Sequence, residues 1–543
     1  MNTQPTYFWP KISTRTALIL IVSVGFLVRL PDLDRDLWFD EASSLFNARG
    51  ADVLTTKIIP NGPEFTCDMF LRDGGWRESL RAISHAEYMP PLYFLLLRLW
   101  IKFVGESNVA LRLLSVIFGL ATLLAMFLLG RTVFDEKIGF AAAGVLAILP
   151  LHIQYSQEIR PYALSLFFVT LASWAFWRAC QAIGQPEESR RWLLYCGLAA
   201  ASLYTIYLTA GILIAHGLFS LMRPPSARVA LVKRLLLVAL VLVLLMLPWL
   251  LSPYFDNQIE LLESRSASPP FWAPDLLRRF VFLGYFLSVG NLPGANLKSL
   301  SGLFFFVLCL LCAVVLIRAA WQHEDRRTLL FALLLLFMPI LLAAGLAATF
   351  NQVVLIALPR YILSSLAGLS LLLAVAMISS RWRAVSLVIS GLLLVISFQF
   401  QVRSYRLSGD PTPFPFVEWA YGNLSSAVAE VSKQAGPEDL ILFDDPLLVS
   451  TWNVYQRTPV AQLLMSEKNF YSNSPLDFES RWQEVERKYQ CIYLVRRAGG
   501  PPSEIMERLN SHHHLTGSER VGRLELYHYI RPPTAVLLNG ERK

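Results

Sequence analysis

Two adjacent carboxylates, Asp40 and Glu41, follow the first apolar run of the chain within Leu37-Trp38-Phe39-Asp40-Glu41-Ala42-Ser43-Ser44-Leu45-Phe46-Asn47-Ala48. A carboxylate fixed at a membrane surface can take the proton of a hydroxyl group. Trp38 and Phe39 are residue types that sit where hydrocarbon meets water. A plainer role is open to Asp40, as the N-cap of a short helix over Glu41–Ala48. Further candidates are His85 and Glu87, ahead of Pro90-Pro91-Leu92-Tyr93, and Arg112. Glu158, Arg160 and Tyr162 lie in Tyr155-Ser156-Gln157-Glu158-Ile159-Arg160-Pro161-Tyr162, and Arg360 and Tyr361 in Pro359-Arg360-Tyr361. Ionisable groups at membrane depth are costly and point to function. The bland alternative for each arginine is snorkelling to headgroup phosphates. Arginines and carboxylates that converge suit a site that binds an anionic group and handles a proton beside it.

The elements that carry these residues are membrane helices. The 543 residues are 55% hydrophobic and 16% charged, against about 25% charged in ordinary soluble domains. Many apolar runs are long enough to cross ~30 Å of hydrocarbon. The net charge of +8 follows loop placement and does not call for nucleic acid. The first run, Thr16–Leu30, lacks a small-x-small site after it and reads as an uncleaved helix. Further spans are expected at 109–130, 138–155, 161–180, 192–206, 208–222, 235–254, 299–317, 329–350, 361–380 and 384–401. That makes about eleven in all. The weakest boundary is the split near Tyr204–Thr209. Residues 91–104 are apolar too, but Arg98 and Lys102 make a basic stripe there, which suits a helix lying in the interface.

Charge sets the orientation. With the N-terminus cytoplasmic, the inside loops hold Arg131 and Lys137, then Arg178, Arg190 and Arg191, then Arg223, Arg228, Lys233 and Arg234. Arg318, Arg326 and Arg327, and finally Arg381 and Arg383, continue the pattern. The short outside loops hold only Arg160 and Arg360. This is the positive-inside bias, and it places every candidate residue above on the extracytoplasmic face.

Two domains are expected. Residues 1–402 form the membrane domain, with 31–107 as a first extracytoplasmic loop carrying interfacial helices. A long outside loop, Phe255–Lys298, contains Ser268-Pro269-Pro270 and Gly290-Asn291-Leu292-Pro293-Gly294. Residues 403–543 form a small soluble α/β domain, with strands at Asp439–Phe443, Gln490–Val495 and Arg523–Ile530 and a helix at Ser503–Asn510. Of the six cysteines, Cys180, Cys196, Cys309 and Cys312 lie in apolar runs as packing residues. Cys67 and Cys491 fall outside, where they either pair or, for Cys491, lie buried in a strand. His512-His513-His514 has no partner spacing for a metal and reads as an exposed loop.

The ordered motifs resemble a known family. Asp40-Glu41 after the first helix, Glu87-x-Met89-Pro90-Pro91-Leu92-Tyr93, Leu111-Arg112-Leu113, Tyr155–Tyr162 and Pro359-Arg360-Tyr361 are similar to the bacterial dolichyl-phosphate-mannose-protein mannosyltransferase-like enzymes. These share the GT-C membrane glycosyltransferase fold with protein O-mannosyltransferases and the aminoarabinose transferase of lipid A. The resemblance covers residues 14–400. Many relatives carry His or Lys just before Pro-Pro, where this chain has Met89, and His85 is the candidate substitute. The resemblance implies a mainly α, polytopic GT-C bundle in the bacterial inner membrane. It implies an inverting transfer of a sugar from a polyprenyl-phosphate donor to an extracytoplasmic protein, lipid or glycan. Asp40 would be the base, with Glu41 and Glu87 beside it. Arg160, Arg360, Tyr361, Arg112, Tyr162, Glu158, His85 and Tyr93 would bind the donor phosphate and substrate. Relatives differ in divalent-metal use, and no metal cage is evident here. The competing class is a transporter or flippase of lipid-linked sugars, but the broken midplane helices and repeats of transporters are not found.

The topology is directly testable. Reporter fusions after Arg131, Arg223 and Arg318 should read cytoplasmic, and fusions after Asp68, Asp275 and Gly436 should read outside. An outside reading at Arg131 would mean that 91–104 crosses the membrane.

Overall fold

The computed structural model describes residues 13–51, 61–87, 89–264, 325–349, 359–379, 423–465, 478–499 and 503–532, with isolated positions at 314, 318, 388 and 391. The expected spans at 299–317 and 384–401 lie outside the described residues. So do Cys309, Cys312 and the Pro- and Gly-rich stretches of the long outside loop. In chain order the helices are α1 (Thr14–Leu27), α2 (Phe39–Arg49), α3 (Asp68–Leu71), α4 (Trp76–Ala86), α5 (Leu92–Val104), α6 (Asn108–Val133), α7 (Glu136–Ile148) and α8 (Pro150–Ser156). They continue as α9 (Tyr162–Gln181), α10 (Glu188–Leu203), α11 (Ala210–Leu221), α12 (Pro225–Leu250), α13 (Pro253–Ser264), α14 (Arg326–Thr349) and α15 (Leu366–Ser379). After them come α16 (Leu424–Gln434), α17 (Pro446–Tyr455), α18 (Phe478–Lys488) and α19 (Glu504–His512). Five strands join this last part: β1 (Leu440–Phe443), β2 (Ala461–Leu464), β3 (Cys491–Arg497), β4 (His514–Val521) and β5 (Leu524–Ile530).

The chain forms two compact units. One holds Met1–Leu33, Arg112–Leu247 and Ser268–Phe400; the other holds Asp34–Leu111, Pro248–Ala267 and Gln401–Lys543.

The first unit is a helical membrane bundle. Among the described residues, five helices are long and apolar enough to cross a membrane: Asn108–Val133, Tyr162–Gln181, Pro225–Leu250, Arg326–Thr349 and Arg360–Ile378. The expected single span at 138–155 is instead a broken pair, α7 and α8, bent by 64°. Pro150 opens α8 and cannot donate to the preceding turn, which explains the break. The expected division of 192–222 holds, with α10 ending at Leu203 and the chain resuming in a 3-10 turn at Tyr207–Thr209. Helices α9 and α10, α11 and α14, α14 and α15, and α7 and α15 pack in pairs. A polar group inside this packing is satisfied internally: His216 stacks on Phe176 at 4.4 Å and meets Tyr195 Oη at 3.0 Å and Ser173 Oγ at 3.1 Å. Leu236, Leu240, Val243 and Leu244 on α12 are exposed, as expected of a lipid-facing side.

In the second unit the terminal segment builds a five-stranded sheet of order β2-β1-β3-β5-β4. Strand β1 pairs in parallel with β2 and β3, while β3–β5 and β5–β4 are antiparallel. The apolar run Leu440–Phe443 is buried throughout, as a parallel central strand should be. Leu440, Leu442, Ile492, Leu494, Trp482 and Tyr529 form the core on this sheet. The three expected strands and the helix are present within two residues. Strands β2 and β4 were not foreseen. Strand β4 is a polar, exposed edge with an irregularity between Leu515 and Gly517, so it lacks the alternation that marks a strand. The histidine tract is not a loop: His512 ends α19, His513 is buried and His514 opens β4. Cys67 and Cys491 do not pair. The Cys67 thiol donates to the Thr458 carbonyl at 3.4 Å, and Cys491 Sγ lies 2.8 Å from His528 Nε2. Burial pushes the Cys491 thiol up to about 11, so it stays protonated.

The sheet continues into the first loop. Phe65 and Gln462 exchange backbone hydrogen bonds of 3.0 and 2.8 Å, and Asn61 N–H donates to the Leu464 carbonyl at 2.9 Å. Glu64 pairs with Lys488 at 2.5 Å. The edge of β2 is therefore covered by residues nearly four hundred positions earlier.

Close helix packing in the membrane unit depends on small residues. A Cβ built on Gly368 of α15 would fall on Leu336 N and Ala332 O of α14, whereas one on Gly345 of α14 meets nothing within 4 Å. Gly368→Ala should therefore lower stability by about 1–3 kcal/mol, as overpacking does. Gly345→Ala should be neutral or raise it, since glycine weakens a helix interior. Thermal unfolding of the two variants in one detergent checks the contrast.

Candidate active site

The residues with chemistry fall into two groups, one in each unit. In the second unit they gather on α2. Asp40 and Glu41 in its first turn suit the positive end of the helix dipole, and Gly50 at φ 77° ends it in the left-handed conformation. The expectation that Asp40 caps this helix is corrected: the N-cap is Trp38, and Asp40 lies one residue inside the helix. Glu41 takes the box role instead, its Oε2 accepting from the Trp38 N–H at 3.4 Å. Asp40 keeps part of its surface exposed, whereas Glu41 is fully buried.

The rest of α2 is held from outside. Glu87, at the C-terminus of α4, accepts from Ser43 Oγ at 3.2 Å and Asn47 Nδ2 at 3.4 Å. Arg98 of α5 donates through Nη1 to the carbonyls of Ala48 and Arg49, both at 2.9 Å, and through Nη2 to Asp73 Oδ1 at 2.7 Å and to Gly74 O. It thus closes the C-terminal end of α2. Its expected place in the basic stripe of an interfacial helix is corrected, because its guanidinium is buried. Helix α5, with 13 residues, rises only about 20 Å, short of the hydrocarbon thickness. Lys102 does remain on its surface, 5.6 Å from the Trp76 ring.

The stretch before α5 is pinned from another direction. Gln258 of α13 donates to the Met89 carbonyl at 2.9 Å, and Asn257 to Ser84 Oγ at 3.0 Å. Tyr93 is fully buried, edge-on to Phe94 at 5.7 Å, and His85 is half-buried on α4. Ser43, Asn47 and Gln258 were missed in the sequence. Only Ser43 and Asn47 had a signal, the spacing of four residues along α2.

The second group belongs to the membrane unit. The turn between α8 and α9 holds Glu158, Arg160 and Tyr162, all buried. The 3-10 turn Pro359–Ser365, which carries Arg360 and Tyr361, packs against α8 and α9, the helices that flank that turn. Tyr155 is within electrostatic reach of Glu158, Arg360 and Tyr361, and its ring lies 5.0 Å from that of Tyr162. The Arg160 guanidinium is 5.9 Å from the Tyr162 ring, and that of Arg360 is 5.4 Å from the Tyr361 ring. Two pieces of chain two hundred residues apart are thus joined into one basic, tyrosine-lined cluster.

Other residues frame it. Arg112 donates to the Leu33 carbonyl at 2.8 Å, and Gln157 to the carbonyls of Arg29 and Pro31 at 3.0 and 2.8 Å. Arg29, fully buried, reaches the Gly25 and Ala147 carbonyls at 2.7 and 3.2 Å and His152 Nδ1 at 2.8 Å. Arg29 was also missed. An arginine closing an apolar run was its signal. Among the described residues, no three His, Cys, Asp or Glu side chains are placed to hold a metal ion.

Residues 88–251 match the family model described as dolichyl-phosphate-mannose-protein mannosyltransferase. The structure is similar to that of ArnT from Cupriavidus metallidurans in the apo state, with a TM-score of 0.56 and 13% identity, over 95% of this chain and 98% of that one. It is also similar to ArnT from the same organism bound to undecaprenyl phosphate, with a TM-score of 0.53 and 12% identity over the same shares. No curated protein matches the sequence. The helices and the overall likeness define a multi-pass membrane protein with the GT-C fold. The resemblance to the dolichyl-phosphate-mannose-protein mannosyltransferases stands over residues 88–251, and the whole chain shares the fold of ArnT.

The hydrogen bonds of Glu87 generate a prediction about structure alone. Glu87→Ala leaves Ser43 and Asn47, both buried, without this acceptor and should cost about 1–3 kcal/mol. Glu87→Gln keeps an acceptor oxygen and should cost less. Thermal unfolding of both variants, with equal losses as the contrary result, decides whether Glu87 holds α2.

Proposed function

We propose that this protein transfers a sugar from a polyprenyl-phosphate donor to an acceptor on the extracytoplasmic face of the bacterial inner membrane, with inversion at the anomeric carbon. The observation that carries the reading is the packing of the 3-10 turn that carries Arg360 and Tyr361 against α8 and α9, the helices on either side of Glu158 and Arg160. Guanidinium forks match phosphate oxygens and stay charged at any working pH. A solved protein of the same fold is described as bound to undecaprenyl phosphate, which supports a lipid phosphate as the ligand here. In the reaction the acceptor oxygen bonds to the anomeric carbon while the bond from that carbon to the phosphate oxygen breaks. The lipid phosphate leaves with the electron pair, and Arg160 and Arg360 offset its developing charge. Asp40 takes the acceptor's proton. Glu41, Glu87 and Tyr93 hold the polar and apolar shape around α2; Arg112, Tyr162, Glu158, Tyr361 and His85 complete the substrate contacts. The acceptor is a protein, lipid or glycan hydroxyl, or a phosphate.

The test is turnover and donor binding in proteoliposomes with polyprenyl-phosphate sugars. Asp40→Asn removes the base but not the helix, since it does not supply the cap. It should bind donor and lose about 10²–10⁴-fold in turnover with a hydroxyl acceptor. Arg360→Lys should remain impaired, because a point charge cannot replace the fork. Full activity in Asp40→Asn, or wild-type donor affinity in both Arg160→Ala and Arg360→Ala, would overturn these assignments.

A further inference from the structure

The terminal sheet domain has no part in the chemistry above, yet its side chains hold the segment that leads into α2. The Leu37 amide donates to the Tyr455 hydroxyl at 2.8 Å. That hydroxyl donates in turn to Asn108 Oδ1 at 3.3 Å, and Asn108 Nδ2 donates to the carbonyls of Asp34 and Arg35 at 3.0 and 3.1 Å. On the other side, Asp36 Oδ2 accepts from the Ser425 amide at 2.8 Å and its hydroxyl at 3.1 Å. Four consecutive residues, Asp34 to Leu37, are thus tied down immediately before the helix that carries Asp40.

The ties are anchored in rigid structure. Tyr455 ends α17, and α17 packs along α2. Helix α17 is fixed to the sheet by Trp452, fully buried and edge-on to Phe443 at 5.7 Å. Asn453 and Gln462 exchange side-chain hydrogen bonds of 2.7 and 2.9 Å, which binds α17 to β2. The same β2 carries the bridge to Phe65 of the first loop. Leu37 itself is buried, so its N–H cannot turn to water if the hydroxyl is lost.

We propose that Tyr455 and Ser425 are positioning residues for Asp40, and that the terminal domain acts as a brace which fixes the entry into α2. The proposal rests on the reading of Asp40 as the base. It differs from an acceptor-binding role for the domain, because it assigns the domain's effect to the proton-transfer step. A misplacement of about 1 Å in a catalytic group can cost ~10²-fold in rate, and these hydrogen bonds set that placement.

The experiment uses the full chain in nanodiscs and two variants, Tyr455→Phe and Ser425→Ala. Amide hydrogen exchange should rise over residues 34–45 in both, while the peptides of β1 and β3 stay protected. Unchanged exchange over 34–45 overturns the brace whatever the enzyme does. In the turnover assay with a polyprenyl-phosphate sugar, Tyr455→Phe should lower kcat about ten- to a hundredfold and leave the donor KM unaltered. Combined with Asp40→Asn it should lower kcat no further, because the group it positions is gone. Additive losses in the double variant, or a change in acceptor KM alone, would assign the domain to another task and overturn the proposal. Absence of any wild-type turnover with such donors would instead count against the proposed function, leaving the exchange result to judge the brace.

Discussion

A polar helix can be buried only if its polar groups are answered from outside it. Helix α2 is buried from Glu41 to Ala48, and that span contains Glu41, Ser43, Ser44 and Asn47. Every neighbouring element supplies part of the answer. Helix α4 brings Glu87 to Ser43 and Asn47, α5 brings Arg98 to the final carbonyls, and α13 pins Met89. The terminal domain holds Asp36 and Leu37. The first loop, a short stretch after α12 and the terminal domain fold as one unit because they share this burden. Asp40, half-buried with Trp38 and Phe39 at the start of the helix, keeps some surface while Glu41 to Ala48 lose theirs.

Much of the fold was legible in the sequence because bilayers impose a simple rule. Long apolar runs must be helices there, with their backbone groups satisfied internally. Thus α6, α9, α14 and α15 match their expected bounds closely. The bend at Leu149 was hidden, since an apolar run reads the same whether Pro150 breaks it or merely kinks it. In the terminal domain β1, β3 and β5 were legible as apolar or alternating runs. The exposed edge β4 was not, because a strand that buries little leaves little pattern.

The site was legible in type more than in partnership. Asp40, Glu87, Arg160 and Arg360 stand out because charge is rare in such a chain. What each one touches depends on contacts across long separations, which periodicity cannot reveal. The packing of the Pro359–Ser365 turn on α8 and α9 is one case, and the tie between Leu37 and Tyr455 is another. Arg98 is the clearest lesson. Its spacing to Lys102 pointed to an interfacial stripe, yet the two residues part ways: Lys102 stays at the surface, and Arg98 turns inward to the end of α2.

The arginines of this protein divide by what faces their guanidinium groups. Arg29, Arg98 and Arg112 direct donors at main-chain carbonyls. Such contacts join helix ends that would otherwise leave acceptors unanswered. The guanidinium carbons of Arg160 and Arg360 lie 5.9 and 5.4 Å from the centres of tyrosine rings, within the range at which a cation is drawn to an aromatic face. A carbonyl-bound arginine is tied into the fold through that bond, and its other donors are the ones that can meet a ligand. The same residue type thus meets main-chain carbonyls in both units and tyrosine rings in the first, so its neighbour and not its charge alone sets its part in the fold.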